Sequence, residues 1–448
     1  MTTPCTPLRQ IPPEGTEENG AIDRLPVRRS YPRVPYLTRV HLRTRLATSP
    51  YAVSVKQSTD RILTTHTGSL PRTKELTKLL VARERGRDYD RDAFDREVQR
   101  GLGLVIDGQL DAGIDVVNDG EVPRVGFSTY VTERMSGFGG VSQRKQSLDL
   151  QKFPEWAKFG DSQIGIAEDL ARVWDTAQAQ DAVHYEDDLA GITYDMNAFD
   201  KARDARAGEI TETFVSAASP GIVTTTMLRD PNNPAYPTDR DYVFGVAEEL
   251  RKEYEYIVSR GHILQLDAPD LAMERVIMFG DDPLPVFLDR VKLHIEALNL
   301  ALVNIPADRV RLHVCWGNWQ GPHQDDVPVA DLLPLLYEAK VGALSIPLGN
   351  PRHEHESVAF RDNPLPDGML LVPGVIDVTT NYLEHPQVVA NRIQNAIDAV
   401  GDPTRVIAGI DCGLGTFASY EFIATDVGWA KLRALRDGAD IVSKRIWG

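Results

Sequence analysis

The sequence contains few cysteines, no excess of basic residues and no long apolar run. Three cysteines among 448 residues are too few for a disulfide framework and are typical of a reducing cytosol. The formal net charge of -16 argues against the basic surface that a nucleic-acid-binding protein needs. No apolar stretch approaches the length of a membrane span. We therefore expect a cytoplasmic protein with no nucleic-acid or membrane partner.

Residues 1–58 differ in composition from the rest of the chain. Residues 1–20 are rich in Pro, Thr, Gly and Glu and show no hydrophobic period, whereas residues 24–56 contain basic but no acidic side chains. The stretch lacks the apolar core of a secretory signal, and its acidic beginning does not match a transit peptide. We expect a disordered N-terminal extension over residues 1–58 and a folded domain over residues 59–448.

From Asp60 onward, short apolar runs alternate with stretches of helical period. The candidate strands are residues 62–67, 115–118, 222–227, 263–266, 310–315, 343–346, 375–378 and 406–410. Helical periodicity is clearest over residues 247–259, 285–302, 329–339 and 386–400. Eight strand–helix units predict an α/β fold of the (β/α)8 TIM-barrel type, with a doubly wound open sheet as the alternative.

A long insertion, residues 123–220, separates the second and third candidate strands. Helical stretches are expected near residues 163–182 and 198–217. Insertions of this length cover the mouth of a barrel, pack beside it or build an oligomer interface. The sequence does not separate these roles, so a homo-oligomer is one of the expectations.

Two candidate strands end in soft metal ligands. His313 and Cys315 are two residues apart, so they point to the same face of a strand. Cys412 closes a similar apolar run. One imidazole and two thiolates suit Zn²⁺ and leave a fourth position for a substrate. The alternative is that both cysteines are small core residues and His313 is an ordinary strand histidine.

The other polar residues favour the metal site. Nearly every candidate strand ends in a side chain capable of chemistry, and barrel enzymes build their active sites at the carboxyl ends of their strands. These strand-end residues are His66, Ser69, Asp119, Glu121, Arg229, Asp267, Asp377 and Asp411. Ligands from the fifth and eighth strands can therefore meet over one barrel mouth.

Five short motifs resemble one family in their order and spacing. They are Thr64-Thr65-His66-Thr67-Gly68-Ser69, Asp119-Gly120-Glu121, Gln265-Leu266-Asp267, His313-Val314-Cys315 and Asp411-Cys412-Gly413. Together they resemble the catalytic barrel of cobalamin-independent methionine synthase over about residues 60–448. Only one barrel is present.

The resemblance implies a zinc-dependent transfer of a methyl group to a thiol, most of all homocysteine, giving methionine. The zinc ligands it implies are His313, Cys315 and Cys412. The substrate-binding residues are His66, Ser69, Glu121 and Asp267, of which the two carboxylates face an ammonium group, and Asp377 is assigned a catalytic role. The partners are then a small-molecule thiol and a methyl or alkyl donor.

Two departures from the family bear on the reaction. Pro347 stands where methionine synthases have a glutamate zinc ligand, and Asp377 is followed by Val378 and Thr379 instead of a histidine two residues later. The charged run at residues 352–356 is a candidate source of a substitute ligand. The zinc–thiol architecture also resembles the epoxyalkane:coenzyme M transferases, so alkylation of another small thiol is the alternative. A non-catalytic zinc-binding barrel is a third interpretation.

Overall fold

The computed structural model describes residues 55–158, 170–173, 175–420 and 422–448, all within one compact unit. Most of the predicted disordered extension, residues 1–54, lies outside the described residues. Among the residues described, no helix combines the length and the apolar character needed to cross a bilayer.

The elements follow one another as a repeated strand–helix pattern with one interruption. The strands are β1 (Val116–Val117), β2 (Met135–Gly139), β3 (Gln178–Tyr185), β4 (Glu212–Ala218), β5 (Ile263–Asp267), β6 (Val310–His313), β7 (Ala343–Pro347) and β8 (Leu370–Gly374). The described helices are α1 (Lys74–Glu84), α2 (Arg91–Asp111), α3 (Leu148–Lys152), α4 (Ala190–Asp204), α5 (Pro220–Thr226), α6 (Asp239–Ser259), α7 (Leu284–Ala301), α8 (Val329–Leu336), α9 (Ala359–Asp362), α10 (Pro386–Val400) and α11 (Thr425–Trp447). Short 3₁₀ turns lie at Thr129–Glu133, Pro269–Leu271, Met273–Arg275, Ala307–Arg309, Glu354–Val358 and Pro403–Arg405.

Six parallel strands form a sheet in the order β1-β4-β5-β6-β7-β8. Backbone hydrogen bonds through residues 64–65 and 406–409 join its two edges. The amide of Val116 donates to Thr64 at 3.0 Å, the amide of Thr65 donates to Ala408 at 2.9 Å, and residues 406–409 bridge to β8. The sheet is therefore closed, with two further strand positions between β1 and β8. This closure confirms the predicted (β/α)8 barrel.

The helices that cover the barrel follow from local sequence signals. In α10, Pro386 occupies the first turn, the His385 side chain accepts a hydrogen bond from the amide of Gln387, and Gly401 ends the helix with a φ of 82°. Buried Val389, Ile393 and Ile397 recur every four residues and face the barrel. The observed limits are those predicted from periodicity.

The predicted third strand, residues 222–227, is wrong, because residues 222–226 lie in α5 and Met227 is the residue that ends it. The Ser219 hydroxyl accepts a hydrogen bond from the amide of Ile222 at 3.0 Å, and Pro220 fits the first helical turn. These caps outweigh the strand preference of the β-branched run that follows. The third barrel strand is β4, within a stretch predicted to be helical.

Two other strand limits also differ from the prediction. Strand β6 ends at His313, so Cys315 lies in the loop beyond it, and residues 375–378 follow β8 instead of forming a strand. Arg229 does not end a strand either. It follows α5 and forms a surface ion pair with Asp239 at 3.0 Å.

The insertion between β1 and β4 contains an antiparallel hairpin, β2–β3, that packs against the side of the barrel. Arg134, just before β2, donates to the Glu253 carboxylate of α6 at 2.9 Å and also pairs with Asp195 of α4. The hydroxyls of Tyr130 and Tyr185 donate to the same Glu253 carboxylate. Glu253 is fully buried, so this network attaches the insertion to the barrel wall.

We expect Glu253→Gln to lower stability by about 3 kcal/mol, because removing one partner of a buried pair leaves an uncompensated charge. The loss should appear as a lower thermal midpoint measured by circular dichroism. Glu248→Gln, an exposed position on the same helix, is the matched control and should change stability by less than about 0.5 kcal/mol. Equal midpoints for the two variants would contradict a structural role for the network.

Candidate active site

The three predicted zinc ligands converge at the carboxyl ends of the barrel strands. His313 is the last residue of β6, Cys315 lies two residues beyond it, and Cys412 follows the 406–409 segment. The ligand atoms of the three residues all lie within 4.8 Å of one another. In the described part of the chain, no nitrogen or oxygen atom bonds to either ring nitrogen of buried His313, and the Cys412 thiol is the group with which the ring interacts. A thiol is a weak hydrogen-bonding group, so this buried imidazole is poorly satisfied unless something else occupies its nitrogens.

The electrostatics of this cluster fit a bound cation. The hydrogen bond that the Cys412 thiol donates to Cys315, together with burial, raises the pKa of Cys412 well above its usual range. Two adjacent thiolates therefore need a positive charge between them, which a divalent metal supplies. One imidazole and two thiolates form a donor set suited to zinc.

The cluster has only three protein ligands within the described residues. Pro347, at the end of β7, has no ligand atom to add and lines the adjoining cavity. The charged run at residues 352–356 does not contribute either, since His353 contacts Asp326 and Glu356 instead. Three ligands leave one tetrahedral position open, as in catalytic rather than structural zinc sites.

A pair of buried carboxylates lies beside the cluster. Asp267 ends β5 and is paired in register with His313 on the neighbouring strand. Burial raises the pKa of Glu121 to about 7, and the negative charge of Asp267 adds to the shift. Burial likewise raises the pKa of Asp267 to about 6. A cation placed between the two carboxylates would restore their ionised forms.

The backbone around Glu121 is held in an unusual conformation. Glu121 has a φ of 53°, a left-handed value that is unfavourable for a residue with a side chain. Its carboxylate accepts a hydrogen bond from Ser216 at 2.8 Å through Oε1, while Oε2 is buried and has no partner among the residues described. Gly68 approaches so closely that a Cβ there would lie 2.6 Å from Oε1. The unpartnered oxygen is therefore available to a ligand.

Ser69 lies where the first and last barrel loops meet. Its carbonyl accepts a hydrogen bond from the amide of Leu414 at 2.8 Å. A Cβ at position 413 would lie 1.9 Å from the Ser69 hydroxyl, so only glycine fits after Cys412. The Thr-His-Thr-Gly-Ser and Asp-Cys-Gly motifs are thus packed together, although more than 340 residues separate them in the chain.

The structure surrounds His66 with protein partners. Its Nε2 lies 2.7 Å from the Gln109 side-chain oxygen, and its Nδ1 accepts a hydrogen bond from the amide of Gly68. Burial lowers the pKa of His66 to about 3, so the ring is neutral. Because both nitrogens are engaged, the ring orients the loop that carries Ser69.

Asp377 lines the cavity next to the cysteines. Its carboxylate accepts hydrogen bonds from the Thr379 hydroxyl and the Thr380 hydroxyl, each at 2.7 Å. Thr379, at the position where methionine synthases have a histidine, and its neighbour Thr380 therefore hold the Asp377 carboxylate in place.

Sequence reasoning missed an inner layer of side chains beneath the site. Buried Arg311 donates to the Gln265 side-chain oxygen at 2.6 Å, and the Gln265 amide donates to Asp267 at 2.7 Å. Strand alternation contained the signal, since Gln265 and Arg311 each precede a predicted site residue by two positions and share its face. Ser216 was missed because its strand was predicted to be a helix.

A cavity of about 380 Å³ opens beside the metal-ligand cluster. Its lining includes Cys315, Cys412, Asp377, Trp316 and Trp319. Ser69, Glu121 and Asp267 do not line it, so the cavity and the buried carboxylates are separate regions around the same cluster. The arrangement can hold two reactants, one on the carboxylates and one in the cavity.

Comparison with known proteins finds a methionine synthase and a 2-hydroxypropyl-CoM lyase among the proteins of similar sequence. No protein-family model matches the chain. A methionine synthase from Saccharolobus islandicus is 24% identical over 384 residues, which cover 86% of this chain and 95% of that protein. The 2-hydroxypropyl-CoM lyase of Xanthobacter autotrophicus is 27% identical over 237 residues, covering 47% of this chain and 57% of the lyase.

The fold has a close counterpart among solved structures. The B12-independent methionine synthase from Shewanella sp. W3-18-1, in complex with selenomethionine, superposes with a TM-score of 0.61 at 19% sequence identity. The superposition covers 86% of this chain and 99% of that one. The sequence match over nearly the whole Saccharolobus protein shows that the chain is a homologue of methionine synthase and of 2-hydroxypropyl-CoM lyase, and its barrel has the fold of the B12-independent enzyme from Shewanella.

Proposed function

We propose that this protein is a zinc-dependent methyltransferase that transfers a methyl group to the thiol of homocysteine, giving methionine. The observation that carries the proposal is the convergence of His313, Cys315 and Cys412 with one open position beside a cavity. The methionine synthase homologue, which this chain covers almost completely, supports the same reaction class. We further propose a cytoplasmic location, since its expected reactants are small metabolites.

The role of zinc follows from its ligands. Zinc held by these three residues would lower the pKa of a substrate thiol, so that its sulfur would be a thiolate at neutral pH. The two cysteine thiolates would balance the charge of the ion and so leave the substrate sulfur electron-rich. His313 and Cys315 come from one strand end and Cys412 from another, so the closed barrel sets the geometry of the ligands.

The carboxylates support an amino-acid thiol as the substrate. Glu121 offers an unpartnered oxygen and Asp267 lies beside His313, so an ammonium group between them would stand near the metal cluster. Each charge-assisted contact of this kind contributes about 1.5–3 kcal/mol. Ser69 adds a hydroxyl on the Cys412 side, and Asp377 faces the cavity in which the methyl donor would bind.

The alternative is epoxide opening by coenzyme M or alkylation of another small thiol. It is supported by the similarity to 2-hydroxypropyl-CoM lyase and by the two departures at Pro347 and Thr379. A non-catalytic zinc barrel is the third candidate, but structural zinc sites close four protein ligands, and this cluster has three in the described chain.

We expect the purified protein to hold about one zinc ion per chain through its thiolates. Cys412→Ser should lose it, because a serine hydroxyl is a far weaker ligand than a thiolate. Metal analysis by mass spectrometry measures the loss, and Cys5→Ser, which removes the remaining thiol of the chain, is the control. Retention of zinc by Cys412→Ser at the wild-type level would rule out this thiolate site.

The identity of the thiol can be tested by zinc-edge X-ray absorption with homocysteine, coenzyme M and glutathione. Homocysteine should add one sulfur to the zinc shell at about 2.3 Å. Glu121→Gln and Asp267→Asn should each weaken homocysteine binding by about tenfold or more, since each removes a partner of the ammonium group. Coenzyme M has no amine, so its affinity should not fall in either variant. A sulfur added by coenzyme M alone would favour the epoxide reaction, and none from any thiol would refute thiol transfer.

The carboxylates also predict a pH dependence of binding. Glu121 and Asp267 have pKa values of about 7 and 6 in the free protein, and an ammonium group favours their ionised forms. Homocysteine affinity should therefore rise between pH 6.0 and 7.5 by roughly tenfold more than coenzyme M affinity. Titration calorimetry measures both ligands, and coenzyme M corrects for ionisation of the thiol. Parallel pH profiles for the two thiols would contradict binding of the amine by this pair.

A further inference from the structure

A second group of potential metal ligands lies beside the same cavity. His323, Asp326 and His353 place one ligand atom each within 4.8 Å of the others. Nδ1 of His323 is 2.9 Å from Oδ2 of Asp326, and Nε2 of His353 is 3.0 Å from the same oxygen. Asp326 and His353 are buried, whereas His323 is half-buried. Such convergence of two imidazoles on one carboxylate has two explanations, a shared proton network or a metal ion.

The outward-facing nitrogens favour metal ligation. Nε2 of His323 lies 3.1 Å from the Trp319 carbonyl oxygen, and Nδ1 of His353 lies 3.3 Å from a Glu356 carboxylate oxygen. Both partners are acceptors, so the outer nitrogens carry the protons. Neutral histidines then direct their lone pairs inward, towards each other and Asp326. Histidines that bind metals show this pattern, with the second N–H donated to a carbonyl or carboxylate.

The carboxylate itself carries an independent sign of a missing partner. Oδ1 of Asp326 is buried and has no hydrogen-bond partner in the part of the chain that the structure covers, while Oδ2 contacts both histidines. Leaving a buried carboxylate oxygen unpaired is unfavourable by roughly 1–3 kcal/mol or more. A metal ion bound through Oδ1, alone or together with Oδ2, would remove this penalty.

The ligand positions are also held rigidly by their surroundings. The His353 ring stacks on Trp316 with the ring centres 3.9 Å apart, and the His323 ring stacks on Trp319 at 4.5 Å. The second oxygen of Glu356 accepts a hydrogen bond from the amide of Val329 at 2.6 Å, which fixes the outer partner of His353. Rotamers locked in this way are what a preorganised metal site requires.

We propose that His323, Asp326 and His353 form a second site, for a divalent first-row transition-metal ion, separate from the thiolate cluster. Two imidazoles and one carboxylate suit zinc or iron(II) and leave positions open for oxygen ligands. His323 and His353 line the cavity that Cys315 and Cys412 also line. A metal ion held there could coordinate an oxygen atom of the reactant that occupies the cavity. Having three ligands and no thiolate, this site should bind its metal more weakly than the first.

The competing explanation is a proton network without metal. Although burial alone lowers the pKa of a histidine, the hydrogen bonds to Asp326 raise the pKa of both His323 and His353. In that case both rings are imidazolium ions, and their inner nitrogens have no lone pair to offer. The two explanations differ in whether added metal binds at neutral pH.

The test uses the full chain with Cys315→Ser and Cys412→Ser, which removes the thiolate cluster. Titration with Co²⁺ at neutral pH should show one ion bound per chain. Cobalt-edge X-ray absorption should show nitrogen and oxygen ligands, outer-shell scattering from two imidazoles and no sulfur. Adding Asp326→Ala should weaken binding by at least about tenfold, as removing one of three ligands requires.

The neighbouring Asp325→Ala in the same serine background is the matched control and should bind cobalt normally. Half-buried Asp325 pairs with Lys152 at 2.7 Å and is not one of the three residues that converge in the cluster. His353→Gln provides a second variant in case Asp326→Ala unfolds, which thermal melting would reveal. No cobalt uptake, or uptake unchanged in both Asp326→Ala and His353→Gln, would overturn the proposal.

This proposal does not depend on the proposed methyl transfer. In the wild-type chain, thiolate-to-cobalt charge-transfer absorption reports the first site alone, because the second has no sulfur ligand. His353→Gln should keep that band while reducing total bound cobalt from about two ions to about one. If the charge-transfer band is absent while one cobalt ion still binds, the proposed thiolate site is refuted and the proposed second site is supported.

Discussion

Arg311, buried inside the barrel, joins the strands on which the candidate site stands. Its guanidinium donates to the Gln265 side chain, the Thr65 hydroxyl at 3.0 Å and the His66 carbonyl at 2.8 Å. It also lies 3.5 Å from the centre of the Phe214 ring. Burial lowers the pKa of Arg311 to about 9, so it remains charged at neutral pH. The Arg311 guanidinium thus links three elements: the segment after residues 64–65, which carries Ser69, strand β5, which carries Asp267, and strand β6, which carries His313.

This inner link explains why the site can remain under electrostatic strain. Two carboxylates share a buried region with raised pKa values, one of them on a residue with a left-handed backbone. Such arrangements are unfavourable and persist only where the surrounding structure holds them. Here the barrel closure, the Gly68 and Gly413 contacts and the Gln265 hydrogen bonds hold them. The strain leaves Glu121 with an oxygen that an incoming cation can satisfy.

The insertion packs beside the barrel, which is one of the roles that its length suggested. Its hairpin is held on the barrel wall by the Arg134–Glu253 network. The segment between β2 and β3 contacts a loop that lines the cavity, since the Asp149 carboxylate accepts hydrogen bonds from the Trp319 indole and the His323 amide. The loop that follows Cys315 is therefore supported from outside the barrel, and both metal-ligand clusters border the cavity that this loop lines.

The sequence by itself determined the class of fold and the local elements with strong caps. Helix α10 was predicted to the residue, because Pro386, Gly401 and the apolar period act within a few positions of one another. Residues 222–227 were misread because β-branched residues favour strands, whereas the Ser219–Pro220 cap decides for a helix. The motifs also indicated which residues to expect at the strand ends, since side chains two apart on a strand share a face.

Long-range contacts determine which of those residues meet. Barrel closure brings Cys412 to His313 and Cys315 across about 100 residues, and nothing local encodes that approach. The charged run at residues 352–356 resembled a solvated loop, yet His353 is buried against Trp316 and Asp326. Buried Arg311 and Ser216 acquire their roles in the same way. The physical reason is that hydrogen bonding and desolvation depend on neighbours in space, which a one-dimensional pattern does not specify.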